Sequence, residues 1–405
     1  MISNDIVIFG LLCAVLALAF YTRGLGGFWT RFYTFIPIIL VCYLVPSLMA
    51  TSGLIDMSNS QLWPIARDAF LPAALILMCL SIDLKGILRL GPKAIIMFLT
   101  ATFGIVIGGP IALWLVSRFD PSVLGSGYDA AWRGLATIAG SWIGGGANQT
   151  AMLEVFQYNP EHYSVMIAVD IVVANIWMAF LLYGAANHEK FDRWLKADTS
   201  EITRLEQRMS EYSASVSKVP TANELMMLMG ITFAFVGLSH LLGGMIGDQF
   251  AASLGKDSTL ASSFLWVVVL ATTFGVGASF TRLRQFEGVG ASKFGSVFIF
   301  LLVLVIGTKM DVLKLADAPE FMLIGLVWML VHTIILFIMA KLIRAPFFFI
   351  AVGSKANVGG AASAPIVAGA FHPSLAPVGV LLAVLGYALG TYAAIISAEL
   401  MRMVS

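Results

Sequence analysis

The sequence predicts an all-α polytopic membrane protein with about twelve transmembrane helices in two structural repeats. Three observations predict it. Hydrophobic residues make up 59% of the 405-residue chain and charged residues 12%, against about 45–50% and about 25% in a soluble domain. Apolar runs long enough to cross a hydrocarbon core recur along the whole chain. The two halves of the chain also echo each other.

The runs fall near 5–21, 34–50, 64–83, 92–117, 131–156 and 163–185, then near 223–245, 260–281, 291–308, 319–343, 346–371 and 376–401. No Lys or Arg precedes the first run, so it reads as a transmembrane helix and not as a secretory signal. The chain divides into a first transmembrane repeat at 1–185, a charged linker at 186–222 and a second repeat at 223–405. The linker holds six Lys/Arg and six Asp/Glu. Within it Ile202, Leu205, Met209 and Tyr212 recur at helical spacing. They predict a short amphipathic helix on the membrane surface, with a solvated connector as the alternative. Its basic residues place it in the cytoplasm, which makes a bacterial inner membrane the expected location.

Composition also excludes classes. A formal net charge of +1 gives no reason to expect a nucleic-acid partner. Cys13, Cys42 and Cys79 lie in apolar runs and read as small buried hydrophobes. Five scattered His residues give no zinc spacing. There is no HExxH, GxSxG or Walker A pattern, so neither an enzyme nor a nucleotide-driven pump is expected.

The internal echo is specific. SIDLKGILRLGPKAI (81–95) is answered by KMDVLKLADAPEFM (309–322), matching Asp83 to Asp311 at an offset of 228. GGGANQTA (144–151) is answered by VGGAASAP (358–365), matching Gly145 to Gly359 at an offset of 214. A loop insertion near 118–131 absorbs the difference. Weak symmetry with Gly-interrupted spans at matching places points to a secondary transporter. Six spans per half would make the repeats parallel, and would put the basic loops of the two halves on different faces. One miscounted crossing reconciles both. An inverted repeat with eleven to thirteen crossings is therefore the expectation.

Three glycines at 144–146 unwind a helix. The freed backbone must be buried by protein or line a cavity. Each repeat is thus expected to hold one discontinuous helix. The first breaks near Gly145 and Gly146, and the second between Ser354 and Gly360. Such breaks offer carbonyls to cations and N–H groups to anions. Asn148, Gln149, Thr150, Ser354, Asn357 and Ser363 add neutral polar groups suited to a hard monovalent cation or a polar solute.

Ionisable groups inside a membrane are functional candidates. Asp170, in the helix after the first break, reads as cation ligand or proton-titrating group. Lys355, in the second break, could pair with Asp170 or bind a substrate carboxylate. Glu154 is a further candidate for the cation site. His332 reads as a buried histidine hydrogen-bonded across helices. The candidate solute site is Gly145, Gly146, Asn148, Gln149, Ser354, Lys355, Asn357 and Ser363. The candidate cation site is Asn148, Thr150, Glu154 and Asp170.

GGGANQTAM (144–152), VDIVVANIWMAFLL (169–182) and GSKANVGGAASAP (353–365) resemble the bacterial membrane family known as domain of unknown function 819, over nearly the whole chain. That family is similar to the superfamily of sodium/proton antiporters and bile-acid sodium symporters. The resemblance implies two crossed broken helices in a core domain moving against a panel domain, ion coupling and a homodimer. The antiporter branch presents paired acids at the first break, where this chain has Asn148 and Gln149. The expected function is therefore cation-coupled symport of a small polar organic solute, of amino-acid, short-peptide or carboxylate class. A bound sodium ion is the one cofactor expected, with a proton as the other candidate for coupling. A cation/proton antiporter is the alternative, and a membrane-embedded sensor or scaffold a distant one.

Overall fold

The computed structural model describes residues 1–200, 202, 205, 220–255, 258–311 and 319–405, with Thr34 and Phe35 described by backbone alone. Among the described residues the regular structure is helical, with a single isolated bridge between Ile2 and Ile55.

The apolar runs form the helices, in order, α1 (Asp5–Gly24), α2 (Phe28–Phe35), α3 (Ile38–Thr51), α4 (Leu62–Leu80), α5 (Pro92–Ser117), α6 (Ala131–Val155), α7 (Tyr163–Ala186), α8 (His188–Leu195), α9 (Ala222–Leu254), α10 (Ser263–Ser279), α11 (Ala291–Gly307), α12 (Pro319–Ile343), α13 (Phe347–Asn357), α14 (Gly360–Phe371) and α15 (Ala376–Met403). Seven of them are long and apolar enough to cross a membrane, and α3, α10, α11 and α14 are shorter apolar helices. Helix starts follow local chemistry. The Asn4 side chain accepts from the amides of Ile6 and Val7, and Thr221 forms a capping box with Glu224, which satisfies amides that have no partner inside the helix. The amphipathic linker helix is described only in part. Leu205 is buried, and Met209 and Tyr212 lie outside the described residues.

The two broken helices do not cross. A straight helix of this length would hold its ends about 36 Å apart at about 1.5 Å per residue. Instead Trp132, at the start of α6, lies 5.5 Å from Phe156, just past its end. The Arg133 guanidinium donates to the Phe156 carbonyl. In the second copy Phe348 lies 5.2 Å from Phe371. Each element enters, reverses and leaves by the same face. We call them hairpin 1 (α6) and hairpin 2 (α13–α14). The all-α polytopic class holds, but the two broken helices are re-entrant hairpins and not crossed helices. In place of eleven to thirteen crossings, the described residues hold ten helices that run from one face to the other, seven of them long and apolar enough to cross a membrane. The physical reason is the backbone at Gly145 (φ 72°, ψ −171°), a region open to glycine alone.

Each half therefore has five crossings, an odd number, and the halves are inverted. Contacts sort the loops onto two faces. On one, Lys93 pairs with Asp198 (3.8 Å), the Asp198 amide donates to the Arg344 carbonyl (3.1 Å) and Arg284 pairs with Asp83 (2.5 Å). On the other, the Gln61 amide donates to Asp5 (2.8 Å), the Ser47 hydroxyl to the Met310 carbonyl (2.8 Å) and the Ser164 hydroxyl to the Asp311 carbonyl (2.9 Å). The matched residues Asp83 and Asp311 thus sit on opposite faces. The basic loops near 22–33, 84–93 and 282–293 all join the linker on one face.

The helices form two bodies. A panel consists of α1, α3, α4, α9, α10 and α11, where α3 packs on α11 as α10 packs on α4. A core consists of α5, α7, α12, α15 and the two hairpins. Small residues set the spacing inside the panel. A Cβ at Gly275 of α10 would fall 2.7 Å from the Ile76 carbonyl oxygen of α4, whereas one at Gly277 would meet nothing within 4 Å. Overpacking of this kind costs about 1–3 kcal/mol. Gly275→Val is expected to lower the melting temperature of the detergent-purified protein clearly, and Gly277→Val to leave it nearly unchanged. Thermal unfolding of both variants checks this.

Candidate functional site

The hairpin tips meet against one segment of α15. A Cβ at Gly386 would fall 2.8 Å from the Ile143 carbonyl oxygen of hairpin 1 and 3.4 Å from the Ala356 carbonyl oxygen of hairpin 2. Gly390 packs directly on Gly144. Beside them, the Tyr387 ring lies against the hinge glycines Gly145 and Gly360, and its hydroxyl accepts from the Ala361 amide. Two helix ends and two helix starts, with their unsatisfied backbone groups, converge at this seam.

Each tip is held by a helix from the other half. The Thr391 hydroxyl of α15 donates to Asn148 Oδ1 of hairpin 1 (2.6 Å), and the Trp177 indole N–H of α7 donates to Ser354 Oγ of hairpin 2 (2.8 Å). Trp177 and Thr391 are offset by 214 residues, the offset that relates the two hinges, so matching positions of the inverted repeat brace the two tips, one on the arm after its hinge and the other on the arm before it. Asn148 Nδ2 also donates to the carbonyls of Gly144 (3.0 Å) and Tyr387 (3.3 Å). Asn148 thus braces the hinge. Hairpin 2 breaks at the far end of the expected interval, Ser354 to Gly360. Its first arm runs through Asn357, whose Nδ2 donates to Gly353 (3.0 Å) and Phe98 (3.2 Å) while its Oδ1 accepts from Thr102 (2.8 Å). The reversal falls at Gly359 (φ 114°) and Gly360 (φ 57°).

Asp170 is the acid of the site. It is 9% exposed and accepts three hydrogen bonds from hairpin 1, from Ser141 Oγ (2.6 Å), Trp142 Nε1 (2.7 Å) and Gln149 Nε2 (3.1 Å). Hydrogen bonds to a charged group are worth about 1.5–3 kcal/mol each, so this cage fixes both the carboxylate and the hairpin. One turn further along α7, the Ala174 carbonyl accepts from Lys355 Nζ (3.3 Å). Lys355 is 2% exposed. Its charge acts on Asp170 across the gap, with no direct ion pair between them. A Cβ at Gly359 would meet Ser363 Oγ and, at 3.2 Å, Lys355 Nζ, so Ser363 and Lys355 share one side of the second hinge. His332 of α12 is fully buried, with Nε2 2.8 Å from Ser354 Oγ.

The structure thus gathers Gly145, Gly146, Asn148, Gln149, Ser354, Lys355, Asn357, Ser363 and Asp170 around two tips. It does not gather the four candidate cation ligands. Asn148 turns to α15, and Thr150 Oγ1 donates to the Gly146 carbonyl of its own helix (3.0 Å). Glu154 lies two turns beyond the hinge, toward the base of the hairpin, and pairs with Arg67 of α4 (2.9 Å). Three contributors do not emerge from the sequence reading, namely Trp142, Tyr387 and Thr391. The GYALGT stretch (386–391), with Gly four apart in an apolar helix, carries the signal of a close helix crossing.

A vestibule of about 1310 Å³ opens on the linker face between panel and core, and Tyr387 and Ala361 form part of its lining. At its mouth, burial pushes the Glu287 carboxyl above its usual range, against hydrogen bonds from Ser292 Oγ (2.6 Å) and N (3.0 Å).

The hinge gives a prediction. Gly145→Ala places a side chain in a backbone region that costs of order 1–3 kcal/mol. Gly146→Ala meets only ordinary contacts at 3.6 Å or more. Gly145→Ala is expected to destabilise the protein in thermal unfolding and Gly146→Ala to be near neutral.

The chain matches the family described as "Protein of unknown function (DUF819)" over residues 10–404. It is 25% identical over 362 residues to the uncharacterized membrane protein YjcL of Bacillus subtilis (strain 168), an alignment covering 85% of this chain and 87% of that one. Both hairpins, Asp170 and the helices that brace them lie inside the matched span, and the chain is a multi-pass membrane protein belonging to the DUF819 family.

Proposed function

We propose that this protein is a secondary active transporter of the bacterial cytoplasmic membrane. In this reading it carries a small polar solute with an anionic group, coupled to a cation, by alternating access of the hairpin tips. One observation carries the reading. Two re-entrant tips from inverted halves meet inside the core, with a buried acid and a buried lysine beside them. Buried charge inside a membrane is expensive and is retained where it moves something. Helix starts at the tips favour an anion, and Lys355 adds a point charge. The basic loops gathered with the linker support a cytoplasmic position for that face.

The arrangement of Asp170 favours a proton over sodium as the coupling ion. Its carboxylate is filled by three donors and faces an ammonium group, while the neutral oxygens expected around sodium turn elsewhere. Protonation of Asp170 would remove the negative charge nearest Lys355 and so favour an anionic solute there, and departure of the solute would favour loss of the proton. The same pair could run cation/proton exchange without a solute, which keeps the antiporter as the second reading.

Melting temperatures of the purified protein in sodium and in potassium, at equal ionic strength and several pH values, test the coupling ion. A ligand that binds only the folded state stabilises it by about 2.7 kcal/mol at a hundredfold excess over Kd. The proton reading expects equal melting in the two salts, and a pH dependence that Asp170→Asn flattens. Sodium-specific stabilisation lost in Asp170→Asn would overturn proton coupling in favour of a sodium site at the same acid.

A further inference from the structure

The vestibule and the opposite face together describe one state of a two-state machine. On the linker face, panel residues Met78 and Ser296 and core residues Val380 and Tyr387 stand on either side of the open vestibule. On the other face the same two bodies are tied together. Glu154, on the returning arm of hairpin 1, pairs with Arg67 of the panel helix α4 at 2.9 Å. Thr259, between α9 and α10, donates to Glu399 of α15 at 2.9 Å, and Arg402 reaches Thr259 at 3.1 Å.

Arg67 is built as a fixed post. It lies in a π-helical turn, Ala66–Phe70, and its guanidinium sits 4.2 Å over the Phe264 ring of α10. His240 Nε2 of α9 lies 2.7 Å from the Asp68 carbonyl oxygen in the same turn. Such turns are rare and cluster at functional sites. Three panel helices thus fix the turn that carries Arg67, which reaches its neighbour Asp68 at 3.9 Å and, at the shorter distance of 2.9 Å, Glu154 of the core. Glu154 is largely shielded from water, beside Lys309 and Trp63, whose ring the Lys309 ammonium covers at 4.0 Å.

We infer that the Arg67–Glu154 ion pair is the latch that keeps the face opposite the linker closed while the vestibule is open. This rests on the alternating-access reading above. Asp170 can reach the opposite face only if hairpin 1 parts from the panel, and Glu154 is the charge that must leave. The latch ties exposure of the tips to rupture of one ion pair between the two bodies. It also accounts for an intramembrane acid that the tip site does not use.

The test uses maleimide labelling of single introduced cysteines in detergent, where both faces meet solvent. The parent protein, with its three native cysteines, serves as blank. Ser296→Cys reports the vestibule. Val155→Cys, at a position 5% exposed, reports the closed face. Adding Glu154→Gln is expected to raise labelling at position 155 several-fold and to lower it at position 296. Arg67→Gln removes the same pair from the panel side and must act with the same sign. The exchange Arg67→Glu with Glu154→Arg is expected to return both rates toward the parent. Rates within twofold of the parent in both single variants overturn the latch. If position 155 still responds to a change of pH in the parent, the transporter reading survives that failure. If no condition moves it, both fall.

Discussion

A helix that turns back halfway through a membrane leaves peptide groups where water cannot meet them. Everything else in this protein follows from how those groups are covered. The reversal at Gly145 uses a conformation that residues with a Cβ avoid, and the turn at Gly359 and Gly360 repeats it. Asn148 and Asn357 return side-chain amides to the carbonyls of the preceding turn, Gly144 and Gly353. Helices from the opposite half then brace each tip, through Thr391 and Trp177. An unsatisfied buried group costs about 1–3 kcal/mol. The braces are thus what makes a re-entrant tip stable at this depth.

The reversal also fixes the architecture. Because each hairpin returns to its own face, each half crosses an odd number of times and the second half is inverted. Inversion brings the tips together from opposite sides, at Gly386 and Tyr387 of α15. It places Asp170 of α7 against hairpin 1 and Lys355 on hairpin 2, with α7 passing both. The acid is caged by one hairpin and the lysine is tethered to α7 through Ala174. A movement of either hairpin changes the field at the other. In the transport cycle proposed above, that is the physical link by which ion and solute would be coupled.

Much of this is legible in the sequence. The apolar runs locate the helices. The matched glycines 145 and 359 locate both hinges, because a glycine cluster inside an apolar run interrupts the helix there. Asp170 and Lys355 stand out as charges without nearby water. The re-entrant course is not legible. A broken helix that crosses and one that returns have the same composition and differ only in the sign of one backbone rotation. The conflict over the basic loops is the trace it leaves, since one crossing too many in each half scatters them over two faces. Trp142, Tyr387 and Thr391 look like ordinary members of apolar helices and give no separate signal. Glu154 groups with the tip in sequence because proximity along the chain hides the distance that two helical turns create.

The most direct measurement is the sidedness of the hairpin bases. Ser126 and Glu161 flank hairpin 1, and His372 follows hairpin 2. Ser126, Glu161 and His372 are all exposed. Single cysteines at these three positions can be labelled with an impermeant reagent from one side of sealed membrane vesicles. The expected result is that Ser126→Cys and Glu161→Cys react from the same side and His372→Cys from the other. Labelling of Ser126→Cys and Glu161→Cys from opposite sides would show that α6 crosses the membrane, and would contradict the inverted, re-entrant arrangement on which the site is built.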